Sequence, residues 1–453
     1  MSKTEDEFHE INDEKYIGKI IGNNNKYKLV EIIGSGALST VWKAEVVKTN
    51  DLQNNTVAIK IQHSGDDNDE YALDEIEILR ITNKSSSPII KMLDNFEANF
   101  AKEYIKKTIK SKNGKKKDII GTKDIAHICI VLELMSSNLY ELQKSVFIDA
   151  YDEFKKNEFV DKKKYWQNKR LSINNTKIIA KQLLEALDFL HKNRIVHTDL
   201  KPENIMFTDN ENNNEIRLVD FGGAHWDYKK SEDHLFTEEY RAPECILGHK
   251  YSNKIDIWAA GCIIFEMLTG TPLFSISSNP RIHKFNKFDT DDDYDWEISE
   301  ENEENNEYST ESESEDSYSE SDSEEEDNDD LPTFVQLYKI CAILGKIPSD
   351  IKSKLYIKLS KFGDYFNRHG ELRYINDKFI AHRSICEILR DDFRYSEEDS
   401  REINDFLVLF LDWNPENRKN AAELLNHDWF ANIIEEKVEE KVEEIVEEIV
   451  EEK

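Results

Sequence analysis

The stretch RIVHTDLKPENIM, Arg194 to Met206, places an aspartate, a lysine and an asparagine at offsets of two and five residues in a loop-like context. Asp199 can accept or orient the proton of an attacking hydroxyl, Lys201 can neutralise charge on a phosphoryl group in transit, and Asn204 can offer an amide oxygen to magnesium. These three groups suit phosphoryl transfer, a reaction governed by positioning and charge. That chemistry further requires a cradle for nucleotide phosphates, a cation held over them and a second metal ligand.

Each requirement has a candidate, in order along the chain. Ile33 to Val41 reads IGSGALSTV, and its Gly34 and Gly36 let backbone amides of Ser35, Ala37, Leu38, Ser39 and Thr40 approach phosphate oxygens without Cβ obstruction. Lys60 ends VAIK twenty-four residues past Gly36, two positions after Ala58, and would project from a strand toward the phosphates. Glu75, on the next helix, would pair with it. Asp220 opens the tripeptide DFG and supplies the other magnesium contact, Phe221 packs beneath the helix bearing Glu75, and Ala242 to Glu244, APE, closes the segment. Taken singly, Lys60 reads as a surface lysine, His197 as a core histidine and Asp220 as a turn former. Seven motifs in one order across roughly 210 residues are hard to obtain by chance.

Periodicity supplies the elements that would position them. YKLVEIIGSGALSTVWKAEVV and TVAIKIQ alternate apolar and polar residues around the glycines and predict three antiparallel strands. YALDEIEILRIT predicts a helix with a stripe of Leu73, Ile76 and Leu79. IIKMLDNF and HICIVLELM predict strands joined through a hairpin tip at Asn113-Gly114. Beyond Met135 the texture is helical, as in TKIIAKQLLEALDFLHKN, LPTFVQLYKICAILGKIP and AAELLNHDWF. Residues 1–26 are polar and predict a flexible lead-in.

The net charge of −33 is concentrated in two segments. Residues 289–330 hold 23 acidic residues and no Lys or Arg, and residues 435–453 hold ten Glu against three Lys; removing −23 and −7 from −33 leaves about −3 for the rest. The first segment is predicted to be disordered, and the tail 431–453 an acidic helical or disordered extension with a Val stripe at Val438, Val442, Val446 and Val450. A near-neutral body argues against a nucleic-acid surface, and no apolar run reaches the roughly 18 residues of a membrane span. Five cysteines without metal-ligand or disulfide spacing fit a reducing compartment. An intracellular monomer follows, cytoplasmic or nuclear. Its Asn, Lys, Ile and Glu bias fits an AT-rich genome such as a protist's or a large DNA virus's, for which host cytoplasm or virion are alternatives.

From about Tyr27 to Phe430 the chain resembles the eukaryotic protein kinases, and within them it is similar to the serine/arginine-protein kinases. GALSTVW, ALDEIEIL, HICIVLEL, HTDLKPENI, ILGKIP, YFNRHGELRYI and NPENRKNAAELLNHDWF carry that likeness. It implies an α+β, two-lobed fold. A small antiparallel-sheet lobe with one helix, residues 27–134, would precede a larger, mainly helical lobe, residues 135–430, that carries the disordered acidic insertion. It further implies ATP and Mg2+ as cofactors, Leu132 as gatekeeper, Glu133 to Met135 as the adenine-contacting hinge and Met206 beneath the base. His197, Phe221 and Asp256 become structural supports of the site, Arg418 the partner of Glu244, and Glu238, Glu239, Tyr240 and Arg241 the platform for a peptide. Three motifs depart from the similar family: DFG replaces DLG, Ala-Pro-Glu replaces Ser-Leu-Glu, and Glu238 stands where relatives generally have Arg. The acidic groove that docks arginine-rich substrates is also missing, its positions being Thr271, Val335 and Ala342.

The expected function is therefore ATP-dependent transfer to Ser or Thr hydroxyls of protein substrates with basic flanks. Thr198 stands where an arginine usually binds an activating phosphate, so constitutive activity is expected. The alternative is a pseudokinase scaffold acting through the acidic insertion and tail.

Overall fold

β-branched and aromatic residues line the first third of the chain at strand spacing, and they form one sheet. In the computed structural model, which describes residues 14–36, 38–47, 56–63, 66–110, 116–146, 170–208, 215–228, 237–275, 331–352, 361–373, 380 and 382–433, its six strands run antiparallel. They are β1 (Ile20–Ile21), β2 (Tyr27–Ser35), β3 (Ser39–Val46), β4 (Thr56–Gln62), β5 (Met92–Lys110) and β6 (Lys116–Glu133), in the order β1-β2-β3-β4-β6-β5. Register does the first work of building a site. Ser35 faces Thr40, Val41 faces Lys60, and Ala58 faces Leu132, so glycine loop, lysine and hinge lie on successive strands. Because side chains alternate along β4, Val57, Ile59 and Ile61 join Leu29, Trp42, Cys129 and Val131 in a buried cluster, which leaves Ala58 and Lys60 on the opposite face.

Helix α1 (Asp66–Thr82) packs against that sheet. Its buried face is Ala72, Glu75, Ile76, Ile78 and Leu79, whereas Leu73, expected in the stripe, is 58% exposed. At about 100° per residue Leu73 lies roughly a third of a turn to one side of the face that seats Glu75.

The lead-in also differs from expectation. Residues 14–26 are ordered against the sheet: β1 pairs with β2, the Tyr16 ring stands edge-on to Phe100 at 5.3 Å and donates its hydroxyl to the Phe100 carbonyl, and Lys19 donates to the Asn99 carbonyl. A few apolar anchors, Tyr16 and Ile21, suffice because a strand edge was waiting for them. Residues 1–13 lie outside the described residues, as do the hairpin tip, the acidic insertion and residues 434–453 of the tail.

Below the sheet, helix α2 (Ile173–Lys192) begins at Ser172, whose hydroxyl accepts the Asn175 N–H as an N-cap. Helix α3 (Lys254–Thr269) is buried from Ile255 to Thr269, and ends at Gly270 in the left-handed region. Helix α4 (Leu331–Leu344) starts where the acidic run stops, and α5 (Glu397–Leu407) packs against α3. Two short ribbons, β7 (Ile195–Val196) with β10 (His225–Trp226) and β8 (Ile205–Phe207) with β9 (Ile216–Leu218), carry the loops between the lobes. One cluster runs from Ile76 and Leu79 of α1 through Phe221 into α2 and α3, so the two lobes share a core beneath the site.

Candidate active site

Lys60 is brought to two carboxylates by two different elements. Its Nζ lies 2.9 and 2.8 Å from the Glu75 carboxylate oxygens on α1 and 2.8 Å from Asp220 Oδ1. Burial opposes the lysine's charge, but Asp220 and then Glu75 outweigh it and hold the ammonium above the ordinary lysine range. The same lysine pulls the Asp220 carboxyl well below the usual carboxylate range. Asp220, at φ 62°, keeps half its side chain exposed toward the cleft. The chain must turn tightly here, and Gly222 permits it: a Cβ there would sit 3.2 Å from Lys60 Nζ and 3.3 Å from Asp220 Oδ1. Phe221, 1% exposed, stands 5.1 Å from the His197 ring, whose Nε2 contacts the Val219 carbonyl.

The loop 194–206 wraps around a second anchor. Asp256, on α3 and 1% exposed, accepts the backbone N–H of His197 and of Thr198 at 3.0 Å each, and the His191 ring at 2.9 Å. Burial disfavours its charge, yet these hydrogen bonds, chiefly from His191, keep its carboxyl below the usual range. Fixed this way, the loop presents Asp199 with Lys201 Nζ 2.6 Å from Oδ2 and the Thr237 hydroxyl donating to Oδ1 at 2.7 Å. Asn204 donates its amide N–H to the Asp199 carbonyl at 2.8 Å, so the oxygen of that amide is what it offers a cation. Asp220 and Asn204 both present hard oxygen donors, the set that magnesium takes.

The nucleotide end is built by backbone more than by side chains. Gly36 N–H pairs with the Ser39 carbonyl across the loop, and Ile33 is 48% exposed above the cleft. Thr40, expected to offer its backbone amide to phosphate, is fully buried, with its hydroxyl 3.0 Å from His63 Nε2. Ala37 lies outside the described residues. Leu132 and Met135 are half-buried at the end of β6 and just past it, and Met206 of β8 bridges to Asn138. The Glu133 side chain braces this hinge, accepting the Lys91 N–H at 3.0 Å.

Glu238 to Tyr240 form a 3-10 turn held from two sides. Gln336 on α4 donates to the carbonyls of Glu238 and Arg241, and the Tyr240 hydroxyl donates to Glu266 on α3 at 2.7 Å. Burial first, then the neighbouring carboxylates of Glu203 and Glu239, pushes the Glu266 carboxyl up to about 7. The far end of the segment is locked where Glu244 meets Arg418 through two 2.7 Å bonds. Val335 is buried and Ala342 half-buried.

An antiparallel sheet stacked on a helical lobe, with Lys60, Glu75, Asp199, Asn204 and Asp220 converging between them, defines a nucleotide-dependent phosphotransferase of the two-lobed kind. The protein kinase domain model matches residues 27–430, and the chain belongs to the protein kinase family. It is 26% identical to the serine/threonine-protein kinase SRPK of Physarum polycephalum, covering 92% of this chain and 88% of that one. It is 35% identical to the serine/threonine-protein kinase prpf4B of Dictyostelium discoideum over 58% of this chain and 27% of the relative. It is 32% identical to the human dual specificity tyrosine-phosphorylation-regulated kinase 3 over 55% of this chain and 34% of the relative.

Thr237, His191, Gln336 and Glu266 escaped the motif reading. Only Glu266 left a signal in sequence, as the single carboxylate in the apolar run GCIIFEMLTG. The other three are ordinary polar residues whose partners lie 38, 65 and 98 positions away.

Proposed function

We propose that this kinase transfers the γ-phosphoryl group of ATP to serine and threonine hydroxyls of proteins, is magnesium-dependent, and is active without phosphorylation between Asp220 and Glu244. The observation that carries the reading is the closed network Glu75–Lys60–Asp220, assembled together with an Asp199 already held by Lys201 and Thr237. A scaffold would have no use for these six groups held in two bonded sets, which favours the enzyme over the pseudokinase alternative. Asp199 orients the acceptor hydroxyl and takes its proton, Lys201 neutralises the group in transit, and Lys60 holds nucleotide phosphates in line. Magnesium, held by Asp220 and Asn204, would screen charge between the phosphates.

Substrates with Arg or Lys beside the phosphoacceptor fit the platform best. Glu238 and Glu239 lie on it, and Glu203 and Glu239 act on the buried Glu266 behind Tyr240. Exposed charges are screened beyond about 8 Å, so the preference should weaken as salt rises. Five free thiols support an intracellular setting, cytoplasmic or nuclear. The test is phosphorylation of a positional peptide library by the purified chain beside Asp199→Asn. A general base contributes about 10²–10⁴-fold, so the variant should lose at least that much turnover while still binding ATP. Undiminished turnover in Asp199→Asn, or a preference for acidic flanks, would count against the proposal.

A further inference from the structure

The ribbon of β7 and β10 pairs Ile195 with Trp226 and Val196 with His225, and that register, continued by two residues, sets Thr198 opposite Gly223. The backbone ladder cannot continue there. Thr198 adopts φ 73°, a conformation in which a β-branched residue is strained, and its N–H is spent on Asp256 Oδ1. The side chain takes over: its hydroxyl donates to the Gly223 carbonyl at 3.0 Å. Gly223 is fitted to this contact, since a Cβ there would lie 3.1 Å from Thr198 Oγ1.

We infer that Thr198 is a positioning residue whose hydroxyl ties the loop of Asp199 to the loop of Asp220, doing by a built-in hydrogen bond what a phosphate clamped between these segments would otherwise do. It precedes Asp199 by one residue, and its partner follows Asp220 by three. One short tether thus sets the spacing between the residue that orients the acceptor and the residue that offers itself to magnesium. Strain at a β-branched residue persists only where its surroundings over-determine it, here Asp256 from behind and Gly223 in front. The inference deepens the reading of an enzyme active without activation-segment phosphate and rests on it.

Two substitutions separate positioning from mere stability. Thr198→Gly relieves the backbone strain and removes the donor, while Thr198→Asn tolerates the left-handed conformation and keeps a donor of similar reach. Both are purified, treated with phosphatase beside the wild type, checked by thermal melting, and assayed for kcat, peptide KM and magnesium dependence. The expected result is a glycine variant that melts no lower than wild type, yet has kcat reduced roughly fivefold to tenfold, with a raised magnesium requirement and an unchanged peptide KM, the loss of one hydrogen bond from the assembled site. The asparagine variant should stay within about twofold of wild type. If the glycine variant has wild-type kcat and magnesium dependence, or if asparagine fails as badly as glycine, the tether has no positioning role. Loss of wild-type activity on phosphatase treatment is a different failure, and would overturn the phosphate-independent reading itself.

Discussion

Replacing Arg418 by leucine should be among the most damaging single changes in the chain. All five guanidinium donors are used: Nη1 and Nη2 each reach a Glu244 oxygen at 2.7 Å, Nε and Nη2 reach the Asp412 carbonyl at 3.0 and 2.9 Å, and Nη1 reaches the Lys254 carbonyl at 3.1 Å. The guanidinium also lies over the Trp258 ring at 4.9 Å. Its side chain is 0% exposed and that of Glu244 is 1% exposed, so leucine leaves a carboxylate buried without its counter-charge. Breaking a buried pair costs about 3–5 kcal/mol, against a total stability of about 5–15 kcal/mol for a typical protein. Arg418→Lys keeps the charge but offers three donors where five are used, so it should be only a partial rescue.

Urea unfolding of Arg418→Leu, Glu244→Leu and the double variant tests this. Each single variant strands one charge and the double strands none, so the double should lose less stability than the sum of the singles by about 2 kcal/mol or more. Because Glu244 ends the segment that carries the proposed peptide platform, peptide KM should rise at temperatures where the single variants remain folded. A cost below about 1 kcal/mol for Arg418→Leu, or strict additivity in the cycle, would refute the reasoning.

Two more predictions follow from the same kind of accounting. Lys60→Ala removes the partner of both Glu75 and Asp220, and should lower kcat by about 10²–10³-fold with a raised KM for ATP, measured by initial rates against nucleotide concentration; unchanged values would mean a different nucleotide geometry. Glu266, raised to about 7, should ionise as pH climbs from 6 to 8, so KM for a lysine-bearing peptide should fall over that range and stay flat in Glu266→Gln. The raised carboxyl favours the protonated form in the folded chain, so its contribution to stability is lost as pH rises through about 7, and the glutamine variant should lack that slope.

What could be read from the sequence was whatever a single segment decides. Lys60, Glu75, Asp199, Asn204 and Asp220 each sit in a local motif whose residue types carry the chemistry, and the structure brings Glu75 and Asp220 each within 2.9 Å of Lys60 Nζ. The sheet was legible for the same reason, because period-two alternation is a local property. Side-chain direction at a transition was not. Thr40 was expected to lend its backbone amide to phosphate, and nothing in its type shows that its hydroxyl, on β3, turns toward His63, a residue just past the end of β4. Leu73 fits a helical stripe until the position of Glu75 fixes which arc of α1 is inward.

The least legible layer consists of polar groups that hold the catalytic residues rather than act. His191 grips Asp256, Thr237 grips Asp199, and Gln336 grips the backbone of Glu238 and Arg241, each across dozens of residues. Nothing in the type of a lone Thr or Gln announces such a role; only the fold assigns its partner. That layer also converts a motif into a working geometry. Asp199 is one residue from Thr198, and Thr198 has spent its N–H on the lower lobe and its hydroxyl on the loop of Asp220. The loops of the two aspartates are therefore linked through bonds already present in the folded chain.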